Sequence, residues 1–212
     1  PDYVPRPLEE ELRRDIICPN CGLEHAVFGL ATWCPDCGKD IFMCHVKTEF
    51  GVIQKVLSVV DKRREELGAR VAGRDIENGL EDVVSVFEAV LKIITIKHLA
   101  NNGMSHDEIS KRLEKIRNSY QNINSAGETF HAQTGLDLFH NTSQDEVETL
   151  RTIFEKRHPL THNLGVVDKK YLERVRTGDT EGREIRVTAQ EVEIAIGISK
   201  KIISSVYDLC TY

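Results

Sequence analysis

"LEDVVSVFEAVLKIITIKHLANNG", Leu80 to Gly103, decides the fold class. Leu80, Val83, Phe87, Val90 and Ile94 recur at three- and four-residue steps, the period of one helix face and not the alternation of a strand. The spacing predicts a helix from about Arg74 to Ala100. Asn101–Gly103 should end it, because a glycine there can adopt the left-handed conformation of a helix cap. Lys92 and Lys97 interrupt the apolar part, which falls short of the roughly 20 residues a membrane span requires. It reads as a core helix.

The same period extends outward on both sides. A first helix is expected over about 47–67, ending near Gly68. Ser105 and Glu108 form a capping box, in which the serine accepts a first-turn amide and the glutamate reaches back. The helix it starts should run to about Asn122 with Ile109, Leu113, Ile116 and Tyr120 inward. A short helical or looped piece follows to Leu138. Ser143 with Glu146 starts a fourth helix, and Thr188 with Glu191 starts a last one that ends near Leu209. Between these two lies "GDTEGREIRVT", Gly178 to Thr188, with turn residues and room for one short strand. The expected fold is therefore all-α, a bundle of four to five helices over 47–212, preceded by a small cysteine-bearing β-hairpin module over 1–46.

The sequence has 212 residues, 40% hydrophobic and 29% charged, with a net charge of −6. This is ordinary for a globular protein and excludes a global positive field for nucleic acid. A local patch remains, since Arg151 to Arg176 holds seven Lys/Arg against Glu155, Asp168 and Glu173. No charged-then-apolar run opens the sequence, and no membrane association is expected; a cytoplasmic protein is.

Four of the six cysteines fall in two knuckles, Cys18-Pro19-Asn20-Cys21-Gly22 and Cys34-Pro35-Asp36-Cys37-Gly38, with 12 residues between them. A CxxC turn brings two sulfurs to one side, and two such turns complete a tetrahedral site. Proline and glycine shape the turn and leave backbone amides facing the thiolates. Paired knuckles at this spacing favour a structural zinc ion held by Cys18, Cys21, Cys34 and Cys37 over redox or disulfide chemistry. Four protein ligands leave no position open for a substrate. The residues between the knuckles, "GLEHAVFGLATW", carry no Lys or Arg and are expected to form a hairpin that packs on a partner or on the helical domain. Cys44 and His45 read as packing or supporting groups, and His45 as a replacement ligand is the lesser alternative.

The fourth helix carries the chemistry. Val147, Leu150, Phe154, Arg157 and Thr161 share one stripe, so Arg157 continues a core-facing row and must meet an acid, a phosphate or a cleft. Pro159 lacks an amide hydrogen and should bend or break the helix. In a straight helix Arg157 and His162 would lie about 140° apart, whereas His158 and His162, four residues apart, share a face. Three readings follow. Arg157 is a structural ion pair with the histidines as interface polars. Alternatively, His158 and His162 form a transition-metal pair, though no third ligand is evident. Or the cluster performs metal-independent phosphodiester chemistry. Here RNA supplies its own 2′-OH nucleophile, a histidine moves protons near neutral pH and an arginine steadies phosphate charge.

"RHPLTH", Arg157 to His162, resembles the R-x4-6-H signature of the HEPN superfamily. The wider "LRTIFEKRHPLTHNLGVVDKKYLERV", Leu150 to Val175, is similar to a bacterial subgroup whose motif reads RHxxxHNxGxxDxxYL and which includes the ribonuclease domain of ApeA-type abortive-infection proteins. "NSYQNINSAGETFHAQTGLDLF", Asn118 to Phe139, and the Gly178–Thr188 stretch look like the same subgroup, and the resemblance covers roughly 47–209. Pro159 departs from it, where an apolar residue is the pattern. The resemblance implies an all-helical domain that dimerises through the motif helix and cuts RNA without a metal ion. His162 would be the general acid/base, Arg157 would hold the phosphate and His158 would assist. Asn163 and Lys156 would contact RNA, Asn163 alternatively fixing the histidine. Glu77, Asp82 and Glu88 are candidates to pair with Arg157. The setting implied is phage defence or toxin–antitoxin biology, with a possible antitoxin or regulatory domain. The alternative is a non-catalytic HEPN module that dimerises or binds nucleotide or RNA, with the ribbon docking a partner.

Overall fold

The computed structural model describes residues 14–27, 29–175 and 177–211, the side chain of residue 211 excepted. The first thirteen residues of the expected N-terminal segment, Phe28 of the expected hairpin and Arg176 of the basic stretch lie outside the described residues. The chain is mostly helical, with one small antiparallel two-stranded hairpin near its N-terminus. It divides into two compact units, 1–51 and 52–212.

In the first unit β1 (Arg14–Ile17) pairs with β2 (Glu24–Val27), Ile17 opposite Glu24 and Arg14 opposite Val27. The hairpin therefore wraps the first knuckle; it does not lie between the two, as the sequence had suggested. The reason is local. The knuckle is itself a chain reversal, closed by the Cys18 amide donating to the Leu23 carbonyl at 2.9 Å and the Gly22 amide to the Cys18 carbonyl at 3.0 Å. The second knuckle repeats both bonds, Cys34 to Lys39 at 2.9 Å and Gly38 to Cys34 at 3.0 Å, but beyond it the described residues form a single bridge, Trp33 with Asp40, closed by the Ile41 amide on the Thr32 carbonyl at 3.1 Å. Ile16, Cys18, Cys34 and Ile41 are the buried residues of this unit's small apolar cluster.

Helix α1 (Phe42–Ser58) begins earlier than expected, because the Asp40 carboxylate accepts the Phe42 amide at 2.9 Å. It crosses the division between the units. The expected first helix is in fact two, since α2 (Val60–Leu67) follows a break at Val59. Gly68, at φ +93, then turns the chain into α3 (Ala69–Asn101). Its buried face includes Leu80, Val83, Phe87, Val90 and Ile94, the stripe that set the fold class. Helix α4 (His106–Ile116) has the full Ser105–Glu108 capping box. It stops before Asn122, because Arg117 takes φ +46 and the Ser119 hydroxyl caps the Ile116 carbonyl at 2.6 Å. A 3-10 turn (Ser119–Gln121) leads to α5 (Ile123–Thr134), capped by Asn122.

Helix α6 (Gln144–Glu155) starts with the Ser143–Glu146 box. It ends where Pro159 cannot donate to the Glu155 carbonyl. After Lys156 comes α7 (Arg157–His162), in which Pro159 is the third residue. There a missing amide hydrogen is tolerated, because first-turn amides have no intrahelical partner. The chain then forms α8 (Lys169–Arg174) and α9 (Ala189–Thr211), which starts with the Thr188–Glu191 box. The expected strand in Gly178–Thr188 is reduced to one bridge, Val166 with Glu184. Helix α3 packs along α9, and α6 packs on both α9 and α5. Phe87 and Phe154 meet edge to face at 5.5 Å.

Candidate functional site

Two constellations stand out. In the first unit the ligand atoms of Cys18, Cys21, Cys34 and Cys37 all lie within 4.8 Å of one another. The Cys18–Cys37 and Cys21–Cys34 sulfurs are 3.7 and 3.6 Å apart. A disulfide would need about 2.05 Å. A tetrahedron of thiolates around a metal at about 2.3 Å has edges of about 3.8 Å, so the cluster fits a metal ion. Charge on one sulfur hinders ionisation of the next. Burial opposes ionisation of Cys18, yet the Asn20 and Cys21 amides bring it down to about 6. Against the pull of the Leu23 amide, burial and the neighbouring sulfurs push Cys21 up to about 12. A divalent cation relieves this conflict by lowering all four thiols together. Among the described residues no other group of three His, Cys, Asp or Glu side chains converges in this way.

His45 is not part of that cluster. It is buried, and its Nδ1 accepts the Ala31 amide at 2.8 Å. An accepting Nδ1 puts the proton on Nε2, which faces Glu49 at 3.3 Å, and burial lowers its pKa. Glu49 also accepts Arg14 Nε at 2.8 Å, so this chain of side chains joins β1, α1 and the approach to the second knuckle.

The second constellation is built on α7. Arg157 Nη2 donates to Gln121 Oε1 at 2.7 Å. Gln121 Nε2 donates to Glu88 Oε2 at 2.5 Å, and Lys92 Nζ donates to Glu88 Oε1 at 2.6 Å. Of the three candidate acids, none pairs directly with Arg157 among the described residues. Glu77 holds Arg70 and Arg74 at 2.8 and 3.0 Å, and Asp82 is pushed up by burial and by Glu81. Glu88, buried on α3, reaches Arg157 only through Gln121. Sequence reasoning missed Gln121, which sits in the 3-10 turn outside any periodic stripe.

His158 and His162 share a face, their rings 5.0 Å apart and tilted by 55°. His158 Nε2 lies 3.8 Å from Asp168 Oδ2, which also accepts Asn163 Nδ2 at 2.6 Å. Asp168 Oδ1 caps α8 by accepting the Tyr171 amide at 2.8 Å, which together with Asn163 keeps the carboxyl below its usual range. Burial lowers the His158 pKa; Lys170, His162 and Arg174 add to this and Asp168 opposes it. Asp168 thus belongs to the site, and its place in the HN-x-G-x-x-D spacing was the signal for it. His162 is exposed. Asn163 stands where it can steady His158 through Asp168. Lys156 is engaged elsewhere, donating to Glu191 Oε1 at 2.5 Å and the Arg186 carbonyl at 2.9 Å.

The α6–α7 junction is pinned twice to one corner of the bundle. Arg157 binds Gln121, and two residues earlier the buried Glu155 accepts Asn122 and, at 3.2 Å, Arg174. Thr161 bonds Glu81 of α3. Beside Glu155 opens a polar cleft of about 580 Å³ between α5, α6 and α8, lined by Arg151 and Arg174 and by Glu128 and Glu173. No protein-family model matches the chain, and no curated protein or solved structure does either.

Proposed function

We propose that this protein is a metal-independent endoribonuclease of the HEPN type, with α7 as its catalytic element. The observation that carries the reading is the grouping on one six-residue helix of a guanidinium anchored by a neutral amide and two imidazoles 5.0 Å apart. In this reading Arg157 holds the scissile phosphate. His162, exposed on α7, takes the 2′-OH proton as that oxygen attacks the adjacent phosphorus, and an imidazole returns a proton to the leaving 5′-oxygen. His158, kept neutral near pH 7 by burial, assists and orients. The cleft forms between the α7 helices of two copies in a homodimer. The cysteine cluster holds a structural zinc ion, and the setting is cytoplasmic phage defence or toxin–antitoxin biology, with restraint by an antitoxin or regulatory domain.

A second reading draws on the Gln121 bond. Arg157 has a structural partner, which suits a non-catalytic module that binds RNA or nucleotide or only dimerises. Incubating total RNA in excess EDTA with wild type, Arg157→Ala and His162→Ala separates the two. The catalytic reading expects cleavage by wild type and a loss of about a hundredfold or more in each variant. Absent or equal cleavage by all three sinks it. Circular dichroism in the same buffer checks that the helical unit stays folded when chelation empties the cysteine cluster.

A further inference from the structure

We infer that Gln121 is a positioning residue that fixes Arg157 without neutralising it, so that the guanidinium stays available to a phosphodiester of RNA. The inference rests on the catalytic reading above and deepens it.

The argument starts from the direction of each hydrogen bond. A guanidinium only donates and a carboxylate only accepts. Gln121 stands between one of each, so its amide has a single orientation, oxygen toward Arg157 and nitrogen toward Glu88. Glu88 is buried and held from its other side by Lys92, so the amide cannot turn over without facing donor with donor. The orientation of Arg157 is thereby set by a buried carboxylate that never touches it.

What this arrangement avoids is as informative. Elsewhere in the helical unit arginines meet carboxylates directly, Arg63 with Asp75, Arg70 and Arg74 with Glu77, Arg151 with Glu148 and Arg174 with Glu155, while Arg112 reaches an amide oxygen, that of Gln133, only at 3.3 Å. A carboxylate fork occupies the same parallel N–H donors that a phosphate needs and cancels the charge. Arg157 instead gives one Nη2 hydrogen to a neutral oxygen, and its Nε and Nη1 have no further partner among the described residues. It is half-buried, so the remaining donors are partly shielded from water, where an ionic contact with phosphate is strongest.

Exchanging the two side chains isolates the effect. In the double variant Glu88→Gln with Gln121→Glu, Lys92 can donate to the new amide oxygen at position 88. The amide nitrogen there can donate to the carboxylate now at position 121, and Arg157 can donate to that same carboxylate. Every bond is preserved, but a carboxylate now faces Arg157. The measurement is affinity for a fully 2′-O-methylated single-stranded RNA, which cannot be cut, with melting temperature in parallel. The exchange should keep the melting temperature near that of wild type and weaken binding about tenfold or more, as far as Arg157→Ala does. Glu88→Gln alone leaves a neutral group beside Arg157 but no longer fixes the Gln121 amide, so it should weaken binding less than the exchange does. If the exchanged protein binds like wild type while Arg157→Ala does not, the inference is overturned and the catalytic reading stands. If Arg157→Ala neither binds less nor cleaves less, both fall. Should the exchanged protein not fold, Gln121→Ala decides, since wild-type affinity without the anchor overturns the inference.

Discussion

Arg157, His158 and His162 differ in how firmly the protein holds them. Arg157 is fixed through Gln121, and His158 lies against Asp168, whereas His162 is exposed. Environment sets the proton affinity of His158. His158, displaced from 6.5 chiefly by burial, should titrate below that value in an NMR pH series. Because Asp168 opposes the displacement, Asp168→Asn should move the His158 midpoint lower still; an upward move would show that Asp168 does not act on it. With its folded midpoint below 6.5, the group is neutral above that midpoint, and it costs stability as pH falls from about 6.5 toward it and no more below. At this scale the sequence was informative where chemistry repeats at fixed spacing, as with the four cysteines and the i, i+4 histidines. It was silent on Gln121, because a partner 36 residues away is set by packing and leaves no local pattern.

Helix starts were legible, since a capping box is written in four consecutive residues. All three boxes occur where Ser105, Ser143 and Thr188 placed them. Helix ends were less so. Arg117 at φ +46 and the short α7 and α8 depend on contacts formed only after the chain has folded. Pro159 signalled an interruption, but the break came at Lys156, because the lost hydrogen bond is the one to Glu155. The α6 start offers a test of charge. Glu146 is held down to about 2, first by Lys201 and then by the Ser143 amide. Its folded pKa is below the ordinary 4.5, so its stabilisation is complete above 4.5 and is lost as pH falls toward 2. Wild type should melt above Glu146→Gln at pH 6, and the gap should shrink as pH approaches 2.5; a gap independent of pH would exclude this role.

On the scale of the whole molecule, the two units rest on different physics. The helical unit buries Phe87, Tyr120, Phe130, Phe154, Tyr171 and the inward face of α9. Among the described residues the other unit's cluster around the cysteines has four buried members, too few to order a hairpin and two turns unaided. Metal binding should supply that order. Chelation, or Cys34→Ser, should abolish dispersed amide signals from residues 14–40 while most of the helical circular dichroism persists. Equal loss of both would mean that the units unfold as one. The helical class was readable because periodicity is distributed over many residues, whereas the extent of the hairpin was not, since the knuckle itself performs the chain reversal.

The six residues of α7 have a consequence for motion. Pro159 removes one amide, the Leu160 amide reaches Lys156 only at 3.5 Å, and the Asn163 and Gly165 amides converge on the single Pro159 carbonyl at 2.9 and 2.8 Å. The first turn of this helix is therefore weakly bonded, and side-chain ties to Gln121, Glu81 and Asp168 reinforce its short ladder. In deuterium exchange the amides of His158 and Leu160 should label well before those of Leu150 to Phe154 on α6, and Gln121→Ala should accelerate them further. Slow labelling of α7 in that variant would mean that the backbone, and not its side-chain ties, sets the lifetime of the closed state.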